Sequence, residues 1–190
     1  MLIYLHGFRS GPQSEKVRVL AQHLEQRGLA DEMWCEQLSP VPNEAIASIE
    51  VQIARCATPP VLVGSSLGGF YATWLAEKHG LRAALINPFV PHADFDAGLF
   101  LGEHEMLYSG EHFTFTEAHI AQIVALDCPR LHNPQNLWLL VETGDEVLDY
   151  SHAVKRYAGA RQTVLAGGDH SFTRWPDYLD DILRFAQLIA

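Results

Sequence analysis

Pro60-Val61-Leu62-Val63-Gly64-Ser65-Ser66-Leu67-Gly68-Gly69-Phe70-Tyr71-Ala72-Thr73-Trp74-Leu75-Ala76 is the stretch whose reading decides the fold. It begins as an apolar run, passes a glycine-flanked turn and continues with apolar residues at helical spacing, the order strand, turn, helix. The turn carries G-x-S-x-G with Ser66 at its centre. In this pattern the serine occupies a strained strand-to-helix elbow, and the glycines two positions either side let neighbouring backbone approach without a side-chain clash. Two other readings compete. A glycine-rich loop before a helix can cradle phosphate, but that loop needs a lysine followed by Ser or Thr, and none follows here. A purely structural tight turn leaves the choice of serine unexplained and requires no partners downstream.

Partners are present. A serine hydroxyl is a weak nucleophile near neutral pH, so it needs a base to take its proton and an acid to orient that base. Around such elbows they follow in the order acid, then histidine. After the apolar run Leu137-Trp138-Leu139-Leu140-Val141 comes Glu142-Thr143-Gly144-Asp145-Glu146-Val147-Leu148-Asp149-Tyr150. Two aspartates compete there. Asp145 stands just past the strand end and an apolar pair follows it, which puts it ahead; Asp149 has an ordinary task open to it as N-cap of a helix from Tyr150. The base is read at His170, in Gly167-Gly168-Asp169-His170-Ser171-Phe172, after the last strand and before a terminal helix. His23 and His79 fall in helical segments where exposure is the default reading.

The N-terminus completes the set. Met1-Leu2-Ile3-Tyr4-Leu5 is a buried-type strand running into His6-Gly7-Phe8, an equivalent of the loop that lends one oxyanion-hole N–H. Phe8 is the expected first donor. Leu67, directly after the serine, is the second, and it opens a helix whose dipole faces developing negative charge.

Across 190 residues the 48% hydrophobic and 19% charged content suits one domain with a full core, expected to span residues 1–190. A formal net charge of -10 argues against nucleic acid and against an anionic membrane surface, which leaves small molecules as partners. Three cysteines without paired spacing, and a strand beginning at Met1 with no room for a signal peptide, lead to the expectation of a reduced, cytoplasmic protein. No apolar run approaches the roughly eighteen residues of a membrane span.

Strands are predicted near 1–6, 32–38, 60–65, 82–87, 136–142 and 161–166, and helices near 14–28, 43–57, 67–79, 150–158 and 176–189. The alternation implies a parallel sheet covered by helices on both faces, with ligand sites at the carboxyl ends of the strands. Residues 88 to 134 break it. This stretch holds Phe89, Phe95, Phe100, Tyr108, Phe113 and Phe115 with His92, His104, His112, His119 and His132, and it is read as a small lid whose aromatics form the acyl pocket if it folds over Ser66, the alternative being that they pack only among themselves as a satellite core. No histidine pair has the i, i+4 spacing of a helical metal site, so neither a metal nor a cofactor is expected.

Tyr4-Leu5-His6-Gly7-Phe8, Gly64-Ser65-Ser66-Leu67-Gly68-Gly69, Ile86-Asn87-Pro88, Leu101-Gly102-Glu103, Thr143-Gly144-Asp145-Glu146-Val147-Leu148-Asp149-Tyr150 and Gly167-Gly168-Asp169-His170-Ser171-Phe172 together resemble the small bacterial YqiA-type esterases of the α/β-hydrolase superfamily. The resemblance spans nearly the whole chain. It implies a minimal α/β-hydrolase fold of about six parallel strands, lacking the first two of the full fold. It further implies a serine carboxylesterase acting on short-chain acyl esters through an acyl-enzyme on Ser66, with Asp145 and His170. Thioesterase action on acyl-CoA or another acyl carrier is the alternative, and a non-catalytic binding protein on the same fold is the alternative from a different class. Asp169 stands where an asparagine is usual, and the lid diverges.

Overall fold

In the computed structural model, which describes residues 1–92 and 95–190, the chain runs through β1 (Leu2–Leu5), α1 (Glu15–Gln26), β2 (Met33–Trp34), α2 (Pro42–Arg55), β3 (Val61–Ser65), α3 (Leu67–His79) and β4 (Arg82–Ile86). An antiparallel pair follows, β5 (Gly102–Glu105) and β6 (His112–Phe115), and then α4 (Glu117–Ala125). The chain closes with β7 (Leu137–Glu142), α5 (Tyr150–Arg156), β8 (Arg161–Leu165) and α6 (Leu179–Phe185). Six strands form one parallel sheet in the order β2-β1-β3-β4-β7-β8.

Side-chain alternation in these strands builds two cores. Leu2 and Tyr4, Val61 and Val63, Ala84 and Ile86, and Trp138 and Leu140 pack on the face covered by α1 and α6. Ile3 and Leu5, Leu62, Ala83 and Leu85, and Leu137, Leu139 and Val141 pack on the face covered by α2, α3 and α5. The two buried indoles are satisfied: Trp138 Nε1 donates to Thr163 Oγ1 at 3.0 Å and Trp175 Nε1 to the Lys16 carbonyl at 3.0 Å.

Two predicted elements are shorter than expected, each for a visible reason. The second strand, expected over 32–38, pairs with β1 only at Met33 and Trp34. Beyond it the chain leaves the sheet to bury Leu38, whose N–H donates to the His6 ring. The terminal helix, expected over 176–189, is split into a 3-10 turn at Trp175–Tyr178 and α6. It stops at Gln187, which takes φ 60° while Leu188 N–H reaches back to the Leu183 carbonyl, a left-handed C-terminal cap.

The stretch 88–134 is structured by its aromatics, which join the main core and do not form a separate one. Phe89 and Phe115 are buried in the α3-side core, and Phe95, Phe100 and Phe113 pack against it. Phe8 sits among them, with ring centroids 5.4 Å from Phe100, 5.7 Å from Phe113 and 5.2 Å from Phe115. No helix among the described residues is long and apolar enough to cross a membrane. Cys35, Cys56 and Cys128 are free thiols.

Candidate active site

Phe8, Ser66, Leu67, Asp145 and His170 all fall at the carboxyl end of the sheet. Leu5 pairs with Gly64, Ser65 with Ile86 and Glu142 with Leu165, so the loops leaving β1, β3, β4, β7 and β8 emerge side by side. Ser66, between β3 and α3, has φ 56° and ψ -120°, a conformation that costs an L-residue roughly 1–3 kcal/mol. Surrounding backbone holds it there. Ser66 N–H donates to the Ile86 carbonyl at 3.0 Å, and its own carbonyl accepts from Gly69 and from Phe89. The flanking glycines are required by space: a Cβ on Gly64 would overlap the Gly68 carbonyl, and one on Gly68 would overlap the Leu5 carbonyl.

The structure brings Ser66, His170 and Asp145 together. His170 Nε2 lies 3.2 Å from Ser66 Oγ, and Nδ1 lies 2.8 Å from Asp145 Oδ2 and 3.0 Å from Oδ1. Nδ1 must donate to the carboxylate, which leaves Nε2 as the acceptor facing the hydroxyl. The Asp145 side chain is only 2% exposed, and its Oδ1 also accepts from the amides of Val147 and Leu148. Asp149 makes no such contact. Its side chain caps α5 by accepting from Ser151 N–H at 2.8 Å, and that bond holds its carboxyl below the usual range.

Three residues that sequence reasoning passed over hold the His170 loop. Asn87, with φ 39°, donates from Nδ2 to the carbonyls of both Asp169 and His170 at 3.1 Å, while its Oδ1 accepts from Glu142 N–H. Glu142 is wholly buried; its carboxylate accepts from Asp169 N–H at 2.9 Å and from Arg174 Nε at 2.8 Å. Arg174 also donates to the Ala166 carbonyl. A Cβ on Gly168 would run into the Glu142 carboxylate, and Gly167 takes φ 73°, so the two glycines of the loop answer to different constraints. The available signals were a charged residue ending an apolar strand, and an asparagine directly after β4.

The loop after β1 is equally fixed. His6 is buried, its Nδ1–H donates to the Gly7 carbonyl at 3.0 Å, and its Nε2 accepts from Leu38 N–H at 3.0 Å; burial pushes its pKa down. Gly7 runs so close to the elbow that a Cβ there would stand 3.2 Å from Ser66 Cβ. Phe8 follows, its ring locked in the aromatic cluster. Leu67 is the first residue of α3, so its N–H has no acceptor within the helix.

A cavity of about 360 Å³ opens over Ser66. The expectation that the aromatics of 88–134 line it is corrected: among the described residues of that stretch only Leu107 and Tyr108 reach the cavity, and its phenylalanines lie in the core or pack against it. Its histidines have structural contacts. His119 closes a capping box on Thr116, His104 bonds the Phe100 carbonyl, His132 pairs with Glu77 and His92 stacks on His152. Among the described residues no group of three or more metal-ligating side chains converges. Burial pushes the Cys35 thiol up to about 12, which keeps it protonated and unreactive.

A six-stranded parallel sheet in this order, helices on both faces and a strained elbow between a central strand and its helix define an α/β-hydrolase fold. Solved structures agree. The monoacylglycerol lipase of Paleococcus ferrophilus superimposes with a TM-score of 0.70 at 12% identity, over 97% of this chain and 93% of that one. The esterase domain of a Rhodothermus marinus protein gives 0.66 at 15% identity over 98% and 86%. Est1E of Butyrivibrio proteoclasticus, solved with ferulic acid bound, gives 0.65 at 12% identity over 99% and 89%. Within this fold the chain belongs to the uncharacterised protein family UPF0227, the YqiA family, which it matches over residues 1–187.

Proposed function

We propose that this protein is a serine hydrolase that cleaves small acyl esters, and that the stretch 88–134 supplies one wall of its site. The observation that carries the reading is the relay in which one His170 nitrogen meets Ser66 Oγ at 3.2 Å and the other meets the Asp145 carboxylate at 2.8 Å. Ser66 Oγ attacks the ester carbonyl carbon as His170 Nε2 takes the hydroxyl proton. Asp145 keeps the ring in the tautomer that can accept it and stabilises the imidazolium. The carbonyl oxygen, now negative, is held by the amides of Phe8 and Leu67, each worth on the order of a hundredfold in rate. Collapse expels the leaving oxygen, which takes the proton from His170, and Ser66 is left acylated. A water repeats the sequence with His170 as base, releasing the acid and restoring the hydroxyl.

The esterases and lipases among the structural neighbours support this class of reaction, and a 360 Å³ cavity supports a small substrate. The same groups would serve a thioester, but a net charge of -10 repels the multiply charged coenzyme A, so neutral esters are expected to be turned over better than coenzyme A thioesters. Three free thiols fit a reduced, cytoplasmic setting. Turnover of p-nitrophenyl acetate by native protein, Ser66→Ala and Ser65→Ala tests the reading. Ser66→Ala is expected to lose turnover with its fold intact and Ser65→Ala to retain it; a folded Ser66→Ala that still turns over overturns the mechanism.

A further inference from the structure

The cavity over Ser66 is lined by a lysine that the reaction above does not use and by one carboxylate, Glu15. Lys16, in the first turn of α1, lines it together with Ser66, His170, Ser171 and Trp175. Its Nζ donates to the Ser171 carbonyl at 2.6 Å, one residue beyond His170, and the first turn of α1 is tied to the same loop again by the bond from Trp175 Nε1 to the Lys16 carbonyl. An ammonium has three donors. Among the described residues no carboxylate oxygen lies within 4.0 Å of Nζ, so its charge faces the cavity without a direct counter-ion. Burial lowers its pKa, while the carboxylates of Asp169, Glu15, Glu142 and Asp145, none in direct contact, work against that and favour the charged form.

The position of this cation relative to the reaction is fixed by proton traffic. His170 must hand its proton to the leaving atom, so the leaving half of the substrate lies along the His170 side of the cavity, where Lys16 stands. Resting on the hydrolase reading above, we infer that Lys16 is a specificity-determining residue whose ammonium receives a carboxylate on the leaving half of the substrate, so that the preferred substrates are esters formed on the hydroxyl of a hydroxy acid. The net negative charge of the protein does not oppose this, because long-range repulsion of a single charge is screened beyond about 8 Å at physiological salt, whereas Lys16 acts by contact.

The test compares kcat/KM for meta- and para-acetoxybenzoate with that for the corresponding neutral acetoxybenzamides, in native protein, Lys16→Met and Lys16→Arg. Leaving-group electronics cancel when the carboxylate-to-amide ratio of one protein is divided by that of another. The ratio is expected to fall at least tenfold in Lys16→Met and to be largely restored in Lys16→Arg. Monophenyl succinate, with its carboxylate on the acyl half, is expected to show no such dependence on Lys16. An unchanged ratio, with both substrates slowed alike, makes Lys16 only a brace for the Ser171 carbonyl and overturns the inference. Should Lys16→Met fail to fold, native protein decides alone: 4-hydroxybenzoate must inhibit phenyl acetate turnover at a concentration at least tenfold below 4-hydroxybenzamide, and equal inhibition overturns the inference. Failure of the underlying reading is separately visible, since it appears as no turnover of any ester or as turnover that survives Ser66→Ala, and it removes this inference as well.

Discussion

Asp145 and Asp149 stand four positions apart in one loop, and their surroundings give them different work. Asp145 is shielded from water and points its carboxylate at His170, while Asp149 is exposed and caps α5. Asp145→Asn is therefore expected to lower kcat on the order of a thousandfold or more, through loss of the partner that fixes the tautomer. Asp149→Ala should leave kcat within a few-fold and lower stability by about 1 kcal/mol, the usual worth of an N-cap. Steady-state kinetics and urea unfolding on both variants check this, and a reversal would move the acid to Asp149. His6 makes a different, pH-dependent prediction. Burial holds its ring neutral and pushes its pKa down, against the Gly7 carbonyl, which works the other way, and Nε2 accepts from the Leu38 amide; the unfolded chain therefore takes up a proton at this residue before the folded chain does. The stabilisation it gives is whole above the ordinary histidine value of ~6.5 and is lost as pH falls below that toward the folded value. The difference in unfolding free energy between native protein and His6→Gln should thus narrow from pH 7.5 to pH 5, and a constant difference would contradict the assignment.

At the scale of elements, the β5–β6 hairpin braces the loop after β1. Leu107 N–H donates to the Arg9 carbonyl at 2.8 Å, Arg9 Nε donates to the Glu105 carbonyl at 2.9 Å, and the Phe8 ring is enclosed by Phe100, Phe113 and Phe115. Leu107 and Tyr108, at the hairpin's tip, are exposed and face the cavity. Leu107→Ala and Tyr108→Ala should change the dependence of kcat/KM on acyl chain length across a p-nitrophenyl ester series, with stability altered by no more than about 0.5 kcal/mol. Phe115→Ala should instead cost about 3–5 kcal/mol in urea unfolding, as a buried ring does. The sequence could not reveal this division. The apolar run before Gly64 and the helical spacing after Ser66 are local signals, and α3 begins and ends where they say. Residues 102–115 have no comparable pattern, because what orders them is contact with Phe8 and Arg9, about a hundred positions away. The same holds for Asn87 and Glu142, whose purpose appears only once β4, β7 and the His170 loop are side by side.

For the molecule as a whole, a parallel sheet turns a linear order of loops into one site. Strand order β2-β1-β3-β4-β7-β8 sets the loops after β1, β3, β4, β7 and β8 next to one another, and these carry Phe8, Ser66, Asn87, Asp145 and His170. That Ser66, Asp145 and His170 stand at strand ends was legible in the sequence, because Ser66 and Asp145 follow apolar runs and His170 follows the glycine pair after the last strand. The core on each face holds those strand ends rigid, and the strain at Ser66 is sustained by the packing of Gly64 and Gly68 against neighbouring backbone. The central claim is that this frame activates Ser66 as a nucleophile, and active-site labelling tests it most directly. Treatment with a fluorophosphonate, followed by intact-protein and peptide mass spectrometry, should give one adduct per chain, located on Ser66 and strongly slowed by His170→Ala. Absence of an adduct on folded native protein, or equal labelling of Ser66→Ala, would contradict the account.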